Sequence, residues 1–199
     1  MKMINVFPTP IGSYTLGREF VDEEINFLKE QEWVKHLGNT GCVATDLLNH
    51  KEFSNLRLFV EDSLKDYLKL TISPMDENEV YITQSWASIS TPGQFHHGHV
   101  HQNSLISGVL YLSAEEGKDS IVFTSEKKYQ RIQLQAKEAT AYNSAQLVHV
   151  KTGDLLIFPS ELEHRVEPTT SNSDRISVSF NTFVRGNIGY KNSYAELKL

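Results

Sequence analysis

Beyond Pro74 the chain is a succession of short runs rich in β-branched and aromatic residues: "EVYITQSWASIS", "LISGVLYL", "SIVFTS", "QLVHV", "DLLIFP" and "RISVSFNTFV". Pro, Gly, Asn and charged residues separate them, and no helical periodicity intervenes. Strands joined without helical crossovers pair antiparallel, so this half is expected to close as a sandwich, barrel or jelly roll. Two amphipathic helical patterns come first. In "VDEEINFLKEQEWVKHLG", Val21, Ile25 and Leu28 recur at helical spacing, acids fill the first turn, and Gly38 is the expected stop. In "SNLRLFVEDSLKDYLKL", Leu56, Val60, Leu64, Tyr67 and Leu68 make one face, and Ser54 is a candidate cap. The expected organisation is one domain over residues 1–199, with a helical part at about 18–72, a β core at about 78–185 and a weakly ordered polar tail at 186–199. No internal repeat is visible. The loop from Thr124 to Ser144 is long and polar, which suits either a lid over a site or a mobile connection.

Composition narrows the function. Apolar residues make up 39% of the chain and charged ones 22%, an ordinary profile for a water-soluble domain. A net charge of -6 argues against a general nucleic-acid binder, which needs a basic face. The short basic run Lys127, Lys128 and Arg131 reads as a solvated loop. Cys42 is the single cysteine, so no internal disulfide is expected, and a buried inert thiol in a reducing cytoplasm fits. The N-terminal "MKMINVFPTPIG" lacks the apolar core of a signal peptide, and no run reaches membrane-spanning length.

Four of the eight histidines fall within "HHGHVH", His96 to His101. Alternate residues of an extended strand share a side, so His99 and His101 face one way and Val100 the other. Two imidazoles at that spacing can bind one metal ion. His97 with His99 has the same spacing, and Gly98 between them permits unusual backbone angles. His164, in "GDLLIFPSELEHRVEP", is the best candidate for a third ligand. His36 reads as a helix-end surface residue, His50 as a loop residue and His149 as a strand residue facing solvent. Eleven residues after His164, "RISVSFN" alternates strictly: Arg175, Ser177, Ser179 and Asn181 on one face, Ile176, Val178 and Phe180 on the other. Alternation usually means an edge strand with its polar face in water. The other reading turns that face into a barrel, where a guanidinium grips a carboxylate with two prongs and a serine assists.

Taken with their spacing, these residues resemble the iron(II)- and 2-oxoglutarate-dependent oxygenases, and most closely a group of bacterial and phage members. The matching stretches are Val6–Ile11, the Trp86 strand, "PGQFHHGHVHQNSLISGVLYL", "GDLLIFPSELEHRV" and "RISVSFN", from about Val6 to Gly186. The resemblance implies a mainly β fold, a double-stranded β-helix or jelly roll with the N-terminal helices packed on one sheet. It implies a hydroxylase-like dioxygenase of the cytoplasm, in a bacterium or a phage-infected host, using Fe(II), 2-oxoglutarate and O2. The family's metal positions fall on His99, His101 and His164. Its carboxylate-binding arginine falls on Arg175, helped by Ser177, and Tyr111 matches a tyrosine that meets the same carboxylate in related prolyl hydroxylases. Trp86, Ser88 and Asn181 fall at pocket-lining positions. The expected reaction hydroxylates an unidentified small molecule or peptide and releases succinate and CO2.

One departure stands out. Most of these oxygenases place a carboxylate where this chain has His101, which leaves the site one charge more positive. Glu161 and Glu163 are nearby acids, both expected on an exposed turn. Two other readings share the motif. A cupin would carry Gly93-x5-His99-x-His101 and Gly153-x5-Pro159, but Glu161 and Pro168 stand where cupins keep Gly and Asn, no glutamate follows His101 at the required distance, and Arg175-x-Ser177 goes unexplained. A metal-stabilised binding protein without catalysis would be expected to have a closed, cysteine-rich site.

Overall fold

Two antiparallel sheets face each other in the structure, a computed structural model that describes residues 2, 4–75, 78–125, 137, 138, 140 and 143–199. The chain runs through β1 (Gly12–Thr15), α1 (Asp22–Lys29), β2 (Trp33–Lys35), β3 (Thr40–Cys42), α2 (Ser54–Thr71), β4 (Glu79–Ser90), β5 (His96–His99), β6 (Ile106–Ser113), β7 (Ser120–Thr124), β8 (Ala145–His149), β9 (Asp154–Pro159), β10 (Glu163–Val166) and β11 (Arg175–Arg185). The large sheet has the order β1-β9-β6-β11-β4-β3-β2 and the small one β5-β10-β7-β8. This is the double-stranded β-helix.

Side-chain alternation gives the large sheet two buried faces. Leu110, Leu155, Ile157, Val178 and Phe180 point outward and pack with Leu56, Val60 and Leu64 of α2. Burying each such side chain stabilises the fold by roughly 2 kcal/mol. The residues between them in sequence, Val109, Tyr111, Leu156 and Phe158, point inward and meet Ile121 and Phe123 of the small sheet. Gly108 sits on the face under α2 without room for a side chain: a Cβ there would lie 2.4 Å from the Phe180 ring and 2.9 Å from the Leu156 carbonyl oxygen. β11 is a central strand, paired with β4 on one side and β6 on the other, so its alternation does not mark an edge in water.

The N-terminal region differs from its expected layout. The first helix stops at Lys29, and the residues as far as Gly38 expected to continue it instead enter the β2–β3 hairpin, with Trp33 opposite Cys42. Pairing along β4 outweighs helical spacing there. Gly38 lies in the hairpin turn, where its carbonyl accepts the Phe95 N–H. Ser54 is the first residue of α2 rather than its cap, and no side chain caps that helix. At α1 the buried Glu24 carboxylate accepts the Val21 N–H at 3.0 Å and two hydrogen bonds from Arg18. The expected loose tail contains a small pairing of Asn187–Ile188 with Leu197–Lys198. Among the described residues no helix is long and apolar enough to cross a membrane. Most of the 124–144 loop, including Lys127, Lys128 and Arg131, lies outside the described residues.

Candidate metal centre and cosubstrate pocket

Strand pairing brings the three expected histidines together. β5 runs antiparallel to β10 with His99 opposite His164, and directly opposed residues carry neighbouring side chains. His101 lies two residues past His99, and its N–H donates to the Ser160 carbonyl at 2.9 Å, which keeps it on the same face. The ring centroids stand 4.4 Å apart for His99–His164, 5.0 Å for His101–His164 and 5.2 Å for His99–His101. One nitrogen from each falls within 4.8 Å of the others. These three could hold one metal ion.

Hydrogen bonds point their lone pairs inward. The Nδ1 atoms of His99 and His164 lie 2.9 Å from the carbonyl oxygens of His97 and Leu162. A carbonyl only accepts, so both Nδ1 atoms carry the hydrogen and both Nε2 atoms keep a lone pair. His99 Nε2 stands 3.3 Å from His101 Nε2, inside the ring of three imidazoles. All three rings are biased to the neutral form that a metal needs. Burial, reinforced by His99, lowers His101 to a pKa of about 4 against a side-chain interaction with Asn181 that raises it. Burial, reinforced by the other imidazoles, lowers His164 to about 3 against its bond to Leu162. Burial also lowers His99, against its bond to the His97 carbonyl.

A second group, His96, His97 and His99, is equally close. Here His97 is exposed, while His96 stacks on His99 with ring centroids 4.4 Å apart and faces the pocket. Among the described residues neither group contains a carboxylate. Glu161 is exposed, and Glu163 leans over Gly98, where a Cβ would lie 3.0 Å from its Oε1. Gly98 has no left-handed backbone angle, so the unusual backbone freedom expected at that position is not used. His149 and His50 are exposed as expected, while His36 is exposed on the hairpin rather than at a helix end.

Deeper in the barrel, Arg175, Ser177 and Tyr111 line the cavity shared with the three imidazoles, together with Trp86 and Ser88. Arg175 is 4% exposed. Its Nη2 reaches Ser90 Oγ at 3.3 Å, its Nη1 reaches the Ser120 carbonyl at 3.5 Å, and its Nε has no partner. A buried guanidinium held so weakly has donor capacity left for an anion. Tyr111 is buried beside it, and burial raises the phenol to about 12 against the pull of Arg175. The donor set therefore fits the expected groups: three neutral imidazoles for a divalent metal, and an under-used guanidinium for a carboxylate.

Residues 84–181, which hold every one of these side chains, match the family model described as "Putative 2OG-Fe(II) oxygenase". This segment belongs to that family. The oxygenase is thus Fe(II)- and 2-oxoglutarate-dependent by family. Comparison with curated proteins gives no match. Among solved structures, the fold is similar to HygX from Streptomyces hygroscopicus with nickel, 2-oxoglutarate and hygromycin B bound, at TM-score 0.60 and 15% identity over 87% of this chain and 82% of that one. It is similar to a Pseudomonas putida prolyl-4-hydroxylase at TM-score 0.54 and 16% identity, covering 87% and 92%. It is also similar to a Trichoplax adhaerens prolyl hydroxylase in complex with a hypoxia-inducible-factor peptide, at TM-score 0.57 and 11% identity, covering 87% and 83%. At these identities the likeness speaks for the fold.

Sequence reasoning missed the support behind His101. The buried Ser107 and Ser160, with the partly buried Ser104, form a hydroxyl cluster that reaches Asn181. Serines in a strand and in two turns carry no distinguishing local pattern; only the strict alternation of Ser107 with Val109 and Tyr111 hinted that Ser107 faces inward. Cys42 is half-buried, its Sγ is bonded to the Ala44 carbonyl and the Ala87 N–H, and burial raises its pKa, as an inert thiol requires.

Proposed function

We propose that this oxygenase hydroxylates a substrate C–H bond, with His99, His101 and His164 holding Fe(II) and Arg175 anchoring 2-oxoglutarate. The carrying observation is the buried Arg175 Nε without a partner, in the same cavity as three convergent imidazoles. Bound Fe(II) would supply oxygen activation coupled to decarboxylation of 2-oxoglutarate to succinate and CO2. The chain supplies geometry. Arg175 donates to the far carboxylate of the cosubstrate, Ser177 stands beside it, and the Tyr111 hydroxyl, kept protonated by burial, is a further donor at that end. Trp86, with its ring 5.6 Å from that of His101, shields one side of the centre from water. Fixing the cosubstrate at both ends directs reactivity at the substrate.

The substrate would approach from the barrel end where a cleft of about 690 Å³ runs between residues 4–9 and Phe123, Pro159 and Leu162. Phe123 forms its inner wall and lies 6.1 Å, ring to ring, from His164. The relatives on this fold take ligands as different as hygromycin B and a peptide, so a small molecule or a peptide suits this site.

Anaerobic addition of Fe(II) and 2-oxoglutarate is expected to produce the weak visible charge-transfer band of the chelate, and Arg175→Ala to lose it. An Arg175→Ala protein that binds 2-oxoglutarate as the parent does would remove the cosubstrate assignment. Metal-dependent activity indifferent to 2-oxoglutarate would favour cupin chemistry.

A further inference from the structure

His99 and His164 are anchored on carbonyl oxygens, which fix their hydrogens without ambiguity. His101 is not. Its Nδ1 meets the hydroxyl of Ser107 at 2.7 Å, and a hydroxyl can either give or take the hydrogen. If Ser107 gave its hydrogen to Nδ1, the ring's own hydrogen would sit on Nε2 and block the nitrogen that faces the other imidazoles.

We infer that Asn181, acting through Ser107, sets the tautomer of His101 and so makes an imidazole usable at a position that relatives fill with an acid. Ser107 has one hydrogen. The Asn181 amide oxygen, 2.8 Å away, can only accept and takes it. Ser160 stands 2.8 Å from Ser107, but its hydrogen has an outlet at Ser104, 2.7 Å away, and Ser104 in turn donates to the Ile106 carbonyl at 3.1 Å. With the Ser160 hydrogen given to Ser104, the Ser107 hydrogen goes to Asn181, and Ser107 presents a lone pair to His101. Nδ1 then carries the hydrogen and Nε2 is bare, 3.3 Å from the bare Nε2 of His99. Two lone pairs at that separation repel until a cation lies between them. Ser107 and Ser160 are fully buried and Asn181 is 9% exposed, so water does not compete for these bonds. Asn181 and Ser107 are positioning residues: they act on the metal only through His101.

The inference rests on the ligand assignment proposed above, and the test separates the two. Two-bond proton–nitrogen correlation spectra of the full chain, labelled at histidine and free of metal, report the tautomer of each ring. The parent is expected to show His101 protonated at Nδ1. Ser107→Thr keeps this state, and Ser107→Ala combined with Asn181→Leu shifts His101 toward Nε2–H while the carbonyl-anchored His99 and His164 stay unchanged. Zn(II) binding, measured by competition with a chromophoric chelator, is expected to weaken roughly 10- to 100-fold in the double variant, the usual effect of removing a ligand's support. A parent His101 protonated at Nε2 overturns the inference. So does parent-like Zn(II) affinity in a double variant whose His99 and His164 signals are native. Parent protein with the Nδ1–H tautomer that binds no Zn(II) overturns the ligand assignment instead.

Discussion

The Nε2 atoms of His99 and His101 stand 3.3 Å apart, and hydrogen bonds on the opposite side of each ring turn both lone pairs toward each other. This arrangement disfavours the metal-free state at that point and favours a cation, because each ring is partly buried, biased to the neutral form and held in one orientation.

Removing His164 removes one of the three converging nitrogens. His164→Ala is expected to weaken Co(II) binding by more than roughly 100-fold, beyond the loss caused by disturbing a ligand's support. Isothermal titration of the metal-free protein measures this, and a fold check by circular dichroism separates it from unfolding. Unchanged Co(II) affinity would exclude His164 as a ligand and leave the His96–His97–His99 group to be tested.

Arg175 is a buried charge with poor partners, so the free protein gains little from it. Replacing a buried charge by an apolar side chain of similar length is often neutral or stabilising. Arg175→Met is expected to leave the melting temperature of the ligand-free protein unchanged or raised. It also forfeits about 3 kcal/mol of 2-oxoglutarate binding, roughly 100-fold, the worth of a charge-assisted bidentate contact. Thermal melts with and without 2-oxoglutarate read both effects; a large cosubstrate-induced shift that survives in Arg175→Met would refute the anchor.

Acid should act on the metal-free protein through its histidines. His101 is held at about 4 and His164 at about 3, against an ordinary value of 6.5. Below 6.5 the unfolded chain takes up protons that the folded state refuses. Their contribution to stability is therefore full above pH 6.5 and falls as pH drops toward 4, levelling off near 3. Urea midpoints at several pH values test this, with His101→Gln expected to show a shallower decline than the parent because one such group is gone. An equal slope in the two proteins would sink the prediction.

Gly108 gives a test of the packing that holds the site in place. Its missing side chain makes room for Phe180 on the α2 side, and a methyl group would also press on the Leu156 carbonyl. Gly108→Ala is expected to cost about 1–3 kcal/mol by overpacking, read as a lower urea midpoint with an unchanged slope. A stability gain, from the reduced freedom of the unfolded chain alone, would mean that the ring moves aside freely.

Some of this was legible before any fold was known. The series of short β-rich runs pointed to an antiparallel sandwich, barrel or jelly roll, because strands joined by short turns reverse direction; the family resemblance narrowed this to the jelly roll. The spacing of His99, His101, His164, Arg175 and Ser177 carried the family resemblance. Helical spacing misled between Glu30 and Gly38, where Trp33 and Cys42 pair across a hairpin. Likewise the alternation of "RISVSFN" was equally compatible with water or a barrel until β11 proved central, with Val178 and Phe180 under α2 and Arg175 inside.

What the sequence supplied by itself was local geometry: a period of two that could pair His99 with His101 or with His97, and that puts Arg175, Ser177 and Asn181 on one face of their strand. What only the tertiary structure decided was which groups meet. His164 opposes His99 because β10 pairs with β5. Ser107 and Asn181 meet behind His101 because β6 pairs with β11. Those contacts join residues as much as 74 positions apart. The burial that neutralises the imidazoles and leaves the guanidinium under-used exists only once both sheets have closed around them.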